Sequence, residues 1–346
     1  MSILDLTADP FFLIAEIGNN HQGNVLLAEQ MIHEASRCGV HAVKFQKRDN
    51  ASMYSETLAT QTYDNPNSFG KTYLDHRCAV ELSINEFKHL KTYAERLGLI
   101  FFATPFDPKS AKECVELGLQ LYKVASADLF NYPLIDILVQ TGKPIIISSG
   151  GASYEDTDWL YKRYSGHSIS LLHCTAAYPA PISSMNLRVI PELISRYPKF
   201  TIGLSDHENG IDAAQIAYML GSRIFEKHFT TDRSLKGTDH SFSLEPAGMS
   251  KLARNLRRIP DMLGCPIKTE QKIESSALLK MRKSIYINSN IPRGTRITLD
   301  DLEFLCPGTE ITLKELENVE GSFATRDLYK GQPLKPGDYK RPGDYA

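Results

Sequence analysis

The chain has 346 residues, 42% of them hydrophobic, which is enough for one large domain and one small one. Its net charge of −2 argues against a nucleic-acid-binding surface, and no apolar run approaches the length of a membrane span. Residues 1–5 lack the basic region and apolar core of a signal peptide, so we expect a cytoplasmic protein. The six cysteines include no C-x-x-C pair, so we expect neither a zinc ribbon nor a disulfide framework.

Apolar, β-branched runs of strand length recur along the chain, at 11–18, 42–46, 101–106, 121–126, 144–149, 168–174, 200–206 and 224–230. Helical spacing appears between them, as in Phe87, Leu90, Ala94 and Leu97, or in Ile211, Ala214, Ala217 and Leu220. Strands that are apolar on both faces and alternate with helices indicate a parallel sheet covered by helices. Eight such units over roughly 250 residues predict a (β/α)8 TIM barrel. A doubly wound sheet is the alternative fold.

Residues 47–83 interrupt this rhythm between the second strand and the helix near Glu86. A connection this long in a compact domain is usually functional. On a barrel it would leave the C-terminal end of strand 2, which belongs to the catalytic face. It carries Tyr63, Asn65, Asn67, Lys71, Tyr73, His76 and Arg77. We favour a lid over the active site, and the alternative is a surface excursion with a turn of helix.

Polar residues stand at or near the predicted strand ends, where barrel enzymes place their catalytic groups. They are Glu16, Lys44, Gln46, Thr104, Lys123, Ser126, Ser148, His173, Tyr178, Ser205, His207, Glu226 and His228, with Asp239 beyond the last strand. Residues two apart in a strand point to the same side. Lys44 and Gln46 therefore share one side, and so do Glu226 and His228.

Two lysines lie inside apolar strands, where an unpaired ammonium is costly to bury. Lys44 and Lys123 therefore need anionic partners. One interpretation is a structural ion pair, for instance between Glu16 and Lys44. The other is an anionic ligand, with the lysines and the hydroxyls of Ser126, Ser148 and Ser205 forming a cradle for phosphate and carboxylate.

His207 and His228 end consecutive strands and are the metal candidates. Two imidazoles form an incomplete site whose remaining positions water or substrate oxygens would fill, which suits a Lewis-acid role. The alternative for each histidine is a hydrogen-bonded core residue.

The sequence changes character after a predicted helix over 247–263. We place a catalytic barrel at 1–265, a polar linker at 266–281 and a small turn-rich domain at 282–346. The small domain begins with a predicted strand over 282–288 and contains a helical turn capped by Thr298. It is too small to hold a large core alone, so we expect it to dock on another surface.

Taken together, the ordered motifs resemble the sialic acid synthase family over nearly the whole chain. They are residues 14–23, 43–46, 103–106, 122–126, 173–175, 178–179, 203–207 and 226–230, and the C-terminal part resembles the family's antifreeze-like (SAF) domain. The resemblance implies a TIM barrel followed by a small mixed α/β SAF domain. It also implies condensation of phosphoenolpyruvate with an N-acylated mannosamine-type sugar and water, giving a nine-carbon 2-keto acid and, by C–O cleavage, phosphate.

The resemblance also assigns roles. It implies catalytic residues Glu16, Lys44 and Glu226; phosphoenolpyruvate contacts from Thr104, Lys123, Ser126, Ser148 and Ser205; and sugar contacts from Gln46, Tyr178 and Asp239. A divalent metal would sit on His207 and His228, with Mn²⁺ expected and Mg²⁺ or Co²⁺ as alternatives. The family's homodimer places the SAF domain of one subunit over the barrel of the other.

Two departures from the family pattern leave the sugar open. Ala176 stands where related bacterial synthases often carry an asparagine, and Cys306 stands where they often carry an arginine that reaches the acyl group. The candidate sugars are N-acetylmannosamine, its 6-phosphate, and the diacetamido-trideoxy hexoses that lead to legionaminic or pseudaminic acid.

Two other functions are kept open. One is a phosphoenolpyruvate-dependent aldol synthase of the DAHP or KDO8P type, which shares the barrel chemistry but lacks a SAF domain. The other is a non-catalytic carbohydrate- or ice-binding protein that uses the SAF domain.

Overall fold

The structure, a computed structural model, describes residues 3–343, and the chain divides into two compact units after Gly264. The first unit holds a barrel, and the second holds a small domain with its own apolar core. Within residues 3–343, no helix is both long enough and apolar enough to cross a bilayer.

Eight parallel strands close the barrel in sequence order, as the sequence predicts: β1 Phe12–Gly18, β2 Ala42–Lys47, β3 Ile100–Pro105, β4 Tyr122–Val124, β5 Ile145–Ser148, β6 Ile169–Cys174, β7 Thr201–Asp206 and β8 Ile224–His228. Strand β1 pairs with β2 on one side and with β8 on the other. This closure confirms the TIM barrel and excludes the doubly wound sheet.

Thirteen α-helices occur among the described residues: α1 Val25–Arg37, α2 Asn50–Met53, α3 Glu56–Ala59, α4 Tyr73–Ala79, α5 Ile84–Arg96, α6 Pro108–Glu116, α7 Tyr132–Val139, α8 Tyr154–Tyr164, α9 Val189–Arg196, α10 Asp212–Met219, α11 Pro246–Leu263, α12 Ser275–Met281 and α13 Leu316–Val319. The longer ones cover the barrel with apolar faces. Helix α5 buries the predicted stripe of Phe87, Leu90 and Ala94.

The pleat of the strands separates two cores. In β1, Phe12 and Ile14 belong to the cluster inside the barrel, whereas Leu13 and Ala15 pack against the helices. Side chains alternate along a strand, so Glu16 shares the inner side with Ile14. The same alternation places Lys44 on the side of Ala42. Charged groups at the C-terminal strand ends are thereby directed into the barrel above an apolar layer.

The stretch 47–83 folds back onto the end of β2. It contains the short helices α2, α3 and α4. Oε1 of Glu81 accepts hydrogen bonds from Nζ of Lys47 at 3.0 Å and from the backbone N–H of Arg48 at 3.1 Å. Nδ2 of Asn50 donates to the carbonyl of Arg77 at 3.1 Å. These bonds tie the beginning of the stretch to its end.

The second unit is built from short antiparallel pairs. Strand β9 (Ser284–Ile287) pairs with β10 (Leu302–Leu305), and β11 (Phe323–Ala324) pairs with β12 (Tyr339–Lys340). Isoleucines such as Ile285 and Ile287 form its core. The carboxylate of Asp301 accepts from the backbone N–H and hydroxyl of Thr298, at the start of a 3₁₀ turn. Helix α12 lies within the stretch predicted as a polar linker.

Candidate active site

The structure brings all thirteen residues to which the family resemblance assigns a role together around one cavity of about 570 Å³ at the C-terminal ends of the barrel strands. They are Glu16, Lys44, Gln46, Thr104, Lys123, Ser126, Ser148, Tyr178, Ser205, His207, Glu226, His228 and Asp239. They come from every strand of the barrel or from the segments that follow the strands. Strand closure alone therefore assembles residues that are more than 200 positions apart in sequence.

Two buried lysines and two buried glutamates form the charged floor of the cavity. Nζ of Lys44 lies 2.8 Å from Oε2 of Glu16 and 3.9 Å from Oε2 of Glu226. Nζ of Lys123 lies 3.8 Å from the same Glu226 oxygen. Glu226 is thus shared by both lysines, and the ion pair that the sequence suggested for Lys44 is present.

Hydroxyl groups complete the coordination of these charges. Lys44 donates to Oγ1 of Thr104 at 2.9 Å, and Lys123 donates to Oγ of Ser148 at 2.6 Å. Ser205 donates to Oε1 of Glu226 at 3.1 Å. Each ammonium retains hydrogen-bonding capacity beyond these contacts, since an ammonium has three donors.

The two glutamates differ in their proton affinity. Burial raises the pKa of Glu16, and the neighbouring Lys44 offsets only part of that effect. Burial also opposes the charge of Glu226, but Lys123 and Lys44 together hold the pKa of Glu226 below its usual range. Glu226 therefore favours its ionised form, and Glu16 takes up a proton more readily than an exposed glutamate.

Small residues line the cavity just past the C-terminal ends of β4, β5 and β6. Oγ of Ser126 accepts from the backbone N–H of Gly150 at 2.8 Å. A Cβ on Gly150 would lie 2.9 Å from this oxygen and 3.0 Å from Cβ of Ala176. A side chain at position 150 would therefore displace Ser126 or Ala176, and Ala176 contributes no polar group there.

His207 and His228 face each other with ring centroids 5.4 Å apart. Nδ1 of His207 lies 2.9 Å from the carbonyl of Thr175, which acts as an acceptor, so Nδ1 carries the proton and Nε2 keeps a free lone pair. Burial lowers the pKa of His207 to about 4 and also lowers that of His228. Both imidazoles are consequently neutral near pH 7, which is the form that binds metals.

The surroundings of the pair fit a divalent ion. Nδ1 of His228 is buried, and no residue within 3–343 forms a hydrogen bond to it. It lies 3.7 Å from Oδ2 of Asp239. No cluster of three metal-binding side chains occurs among the described residues. The donor set is therefore two neutral nitrogens, with water or substrate oxygens needed for the rest.

The sugar candidates lie around Glu16 and the histidines. Nε2 of Gln46 donates to Oε1 of Glu16 at 3.0 Å. The ring of Tyr178 lies 4.2 Å from the His207 ring and is 56% exposed, so its outer edge is open to a ligand. Predicted catalytic, metal and sugar residues thus meet on one side of the cavity.

The sequence analysis missed Arg48, which also lines the cavity. The signal was present, because Arg48 continues the two-residue spacing of Lys44 and Gln46 just past the end of β2. Arg77, from the predicted lid stretch, lines the cavity as well.

Two other histidines do not join the site. His76 lies buried, with its ring 4.6 Å from that of Tyr63. His173 is bound through Nε2 to a backbone carbonyl.

Comparisons with known proteins agree with this geometry. The NeuB family model matches residues 31–268, and the SAF domain model matches residues 282–340. N-acetylneuraminate-9-phosphate synthase of Mus musculus is 37% identical over 295 residues, covering 85% of this chain and 82% of the relative. N,N'-diacetyllegionaminic acid synthase of Legionella pneumophila is 33% identical over 331 residues, covering 93% of each.

A solved structure, the N-acetylneuraminic acid synthetase of Leptospira borgpetersenii in complex with citrate, is 33% identical, with a TM-score of 0.68 over 78% of this chain and 90% of that one. The matched families span both units of the chain, and the barrel strands that carry the cavity lie mostly within the NeuB match. The chain therefore belongs to the NeuB family of synthases and carries a C-terminal SAF domain.

Proposed function

We propose that this protein condenses phosphoenolpyruvate with an N-acylated mannosamine-type sugar and water, forming a sialic-acid-like nonulosonic acid and phosphate. The observation that carries the proposal is the pair of buried ammonium groups, Lys44 and Lys123, beside hydroxyls and a neutral histidine pair in one cavity. Phosphoenolpyruvate carries a phosphate and a carboxylate, and two separate cations suit the two anionic groups.

Lys123 and its hydrogen-bonded partner Ser148 would grip the phosphate, and Ser126 and Ser205, which line the same cavity, would add hydroxyl groups. Lys44 and Thr104 would hold the carboxylate. The Glu226 carboxylate lies 3.9 Å from Nζ of Lys44 and 3.8 Å from Nζ of Lys123, and it limits the repulsion between the two lysines. Its negative charge would hold both ammonium groups at the positions that the substrate needs.

In the reaction, the enol carbon of phosphoenolpyruvate attacks the aldehyde carbon of the sugar, and the aldehyde oxygen takes up a proton. Water then adds to the cationic carbon that carried the phosphate, and the C–O bond breaks with release of phosphate. Glu16 is the group suited to handle the proton near the aldehyde or the water, because burial raises its pKa. Gln46 orients Glu16 through their hydrogen bond.

His207 and His228 would hold a divalent ion, for which we expect Mn²⁺. When bound, such an ion polarises the aldehyde oxygen of the sugar and makes the aldehyde carbon more electrophilic. Tyr178 and Asp239, next to the two histidines, would bind sugar hydroxyls. The metal and sugar sites would then adjoin each other near the ends of β7 and β8.

The functional assembly would be a homodimer in which the SAF domain of one subunit covers the barrel of the other. The small size of the SAF domain supports this arrangement, since a domain of this size gains stability by docking.

The proposal is tested with phosphoenolpyruvate labelled with oxygen-18 in its bridging position, Mn²⁺ and a panel of N-acylated amino sugars. We expect phosphate release only with a suitable sugar, and we expect the label in the released phosphate because the C–O bond breaks. A matched panel of arabinose 5-phosphate and erythrose 4-phosphate checks the other aldol synthase types. Unlabelled phosphate, or turnover with these phosphorylated aldoses alone, would contradict the proposal.

A further inference from the structure

Two arginines at the edge of the cavity have no role in the reaction proposed above. Arg48 directly follows β2, and Arg77 lies on α4, at the far end of the long stretch after β2. Arg48 is 7% exposed, and its Nη1 has no hydrogen-bond partner among the described residues. In the part of the chain that the structure describes, neither guanidinium belongs to an ion pair with a carboxylate.

Aromatic rings hold both guanidinium groups. Cζ of Arg48 lies 3.7 Å from the ring centroid of Phe106, and its Nη2 donates to Oε1 of Gln46 at 2.7 Å. Cζ of Arg77 lies 5.1 Å from the ring centroid of Tyr73, and its Nε donates to the Tyr73 hydroxyl at 3.0 Å. Stacked guanidinium groups are oriented in advance, with remaining N–H groups available for a ligand.

The fold holds the positive charges of Arg48 and Arg77 near each other, which is electrostatically unfavourable. Burial lowers the pKa of Arg48, and the positive charge of Arg77 lowers it further. The hydrogen bonds of Glu81 and Asn50 that tie the stretch together maintain this proximity. A fold that keeps like charges together next to a cavity stabilises them best when an anion binds between them.

Carboxylates near Arg48 are engaged with other groups. Glu81 accepts from the ammonium of Lys47, and Oδ1 of Asp128 accepts from Nδ2 of Asn131 at 2.9 Å. Glu81 and Asp128 therefore offset only part of the positive charge of the two arginines, and an anionic ligand would supply the rest.

We propose that Arg48 and Arg77 bind a phosphate group on the acceptor, so that the preferred second substrate is a phosphorylated N-acylmannosamine-type sugar. This inference rests on the function proposed above. Lys44 and Lys123 already account for the two anionic groups of phosphoenolpyruvate, which leaves the arginines for an anion that the sugar brings. Guanidinium groups match phosphate oxygens with paired hydrogen bonds, which makes them well suited to this task.

The test compares kcat/KM for N-acetylmannosamine and for N-acetylmannosamine 6-phosphate, with phosphoenolpyruvate and Mn²⁺ in excess. We expect the wild-type enzyme to prefer the phosphorylated sugar. Arg77→Gln should lower the ratio of the two kcat/KM values by about 10- to 100-fold, the effect of losing a charge-assisted hydrogen bond to phosphate. Arg48→Lys keeps the charge but loses the fork, and it should lower the ratio less. Arg254→Gln, on the exposed side of α11, is the matched control.

The outcomes separate this inference from the proposed function. Turnover of the unphosphorylated sugar without preference for the phosphorylated one overturns the inference and leaves the proposed function standing. The inference is also overturned if both arginine variants keep the wild-type ratio, or if they raise the KM for phosphoenolpyruvate instead of changing the ratio. If the wild-type enzyme turns over none of the sugars, both the inference and the proposed function are wrong.

Discussion

The ammonium of Lys44 lies 2.8 Å from the carboxylate of Glu16, and both side chains are almost fully buried. The Glu16 carboxylate compensates the charge of a buried lysine to which we assign the carboxylate of phosphoenolpyruvate. The pairing has consequences for stability as well as for catalysis.

We expect Lys44→Met to lower the free energy of unfolding by about 3 to 5 kcal/mol, because it leaves Glu16 buried without its closest cation. The double variant Glu16→Gln with Lys44→Met should be more stable than the single Lys44→Met variant, since no uncompensated carboxylate remains. Urea denaturation at pH 7 measures both values. A double variant that is no more stable than Lys44→Met would show that the pair does not act as a unit.

Activity should require a divalent metal ion bound by the histidine pair. Chelation should abolish turnover, and Mn²⁺ should restore it. His207→Ala and His228→Ala should each lower kcat by at least about 100-fold, the effect of losing a principal electrostatic stabiliser. Calorimetric titration with Mn²⁺ gives an independent measure, in which each variant should bind the ion more weakly. Near-wild-type activity in the double alanine variant would refute the metal assignment.

Lys123 should serve phosphoenolpyruvate rather than the sugar. Its Nζ donates to Ser148 at 2.6 Å on the wall that we assign to the phosphate. Lys123→Ala should therefore raise the KM for phosphoenolpyruvate far more than the KM for the sugar. Lys123→Arg should not restore the wild-type KM, because a flat guanidinium cannot replace a compact ammonium in this pocket. A change confined to the sugar KM would contradict the assignment.

The SAF domain should act on the partner subunit. Deleting residues 282–346 should leave a folded barrel with weak activity, because the barrel has its own core. Mixing this truncated chain with full-length His207→Ala should restore activity, as the intact barrel then receives a SAF domain from its partner. Mixed dimers without activity, or an active full-length monomer, would disprove the arrangement.

In full-length protein, Cys306→Arg should change the order in which the enzyme prefers the acyl sugars, measured as kcat/KM for each sugar.

Stability should fall in mild acid because of His21, which is 1% exposed. Burial lowers the pKa of His21 to about 3 from an ordinary value of 6.5. Below pH 6.5 the unfolded chain binds a proton at this histidine that the folded chain excludes, so acid favours unfolding. On further acidification, the two states bind the same number of protons here only below the pKa of the folded state. Between about pH 7.5 and 5, this histidine should remove about 2 kcal/mol of stability.

Denaturation of His21→Gln at several pH values checks this prediction, because the variant should show a smaller loss of stability in acid than the wild type. His33→Gln, at an exposed position on α1, serves as the control and should keep the wild-type pH dependence. Equal pH dependence in His21→Gln and the wild type would show that His21 is not held neutral by the fold.

The order of apolar strands and helical stripes in the sequence was sufficient to predict the barrel. Strand periodicity determined which side chains share a side, and the rule that parallel strands end at one face brought Glu16, Lys44 and His228 to the same opening. These properties are local: they depend on residues two or three positions apart, so a sequence displays them directly.

Apart from the ion pair of Glu16 and Lys44, tertiary structure decided which charged groups lie near one another. Glu226 lies between Lys44 and Lys123 because closure of the barrel sets the distances between strands, which no local pattern contains. The placement of Arg48 and Arg77 at the same cavity depends on how the long stretch between them folds back, through hydrogen bonds formed by Glu81. Such contacts join positions far apart in the chain, and their charges interact through space rather than along the sequence.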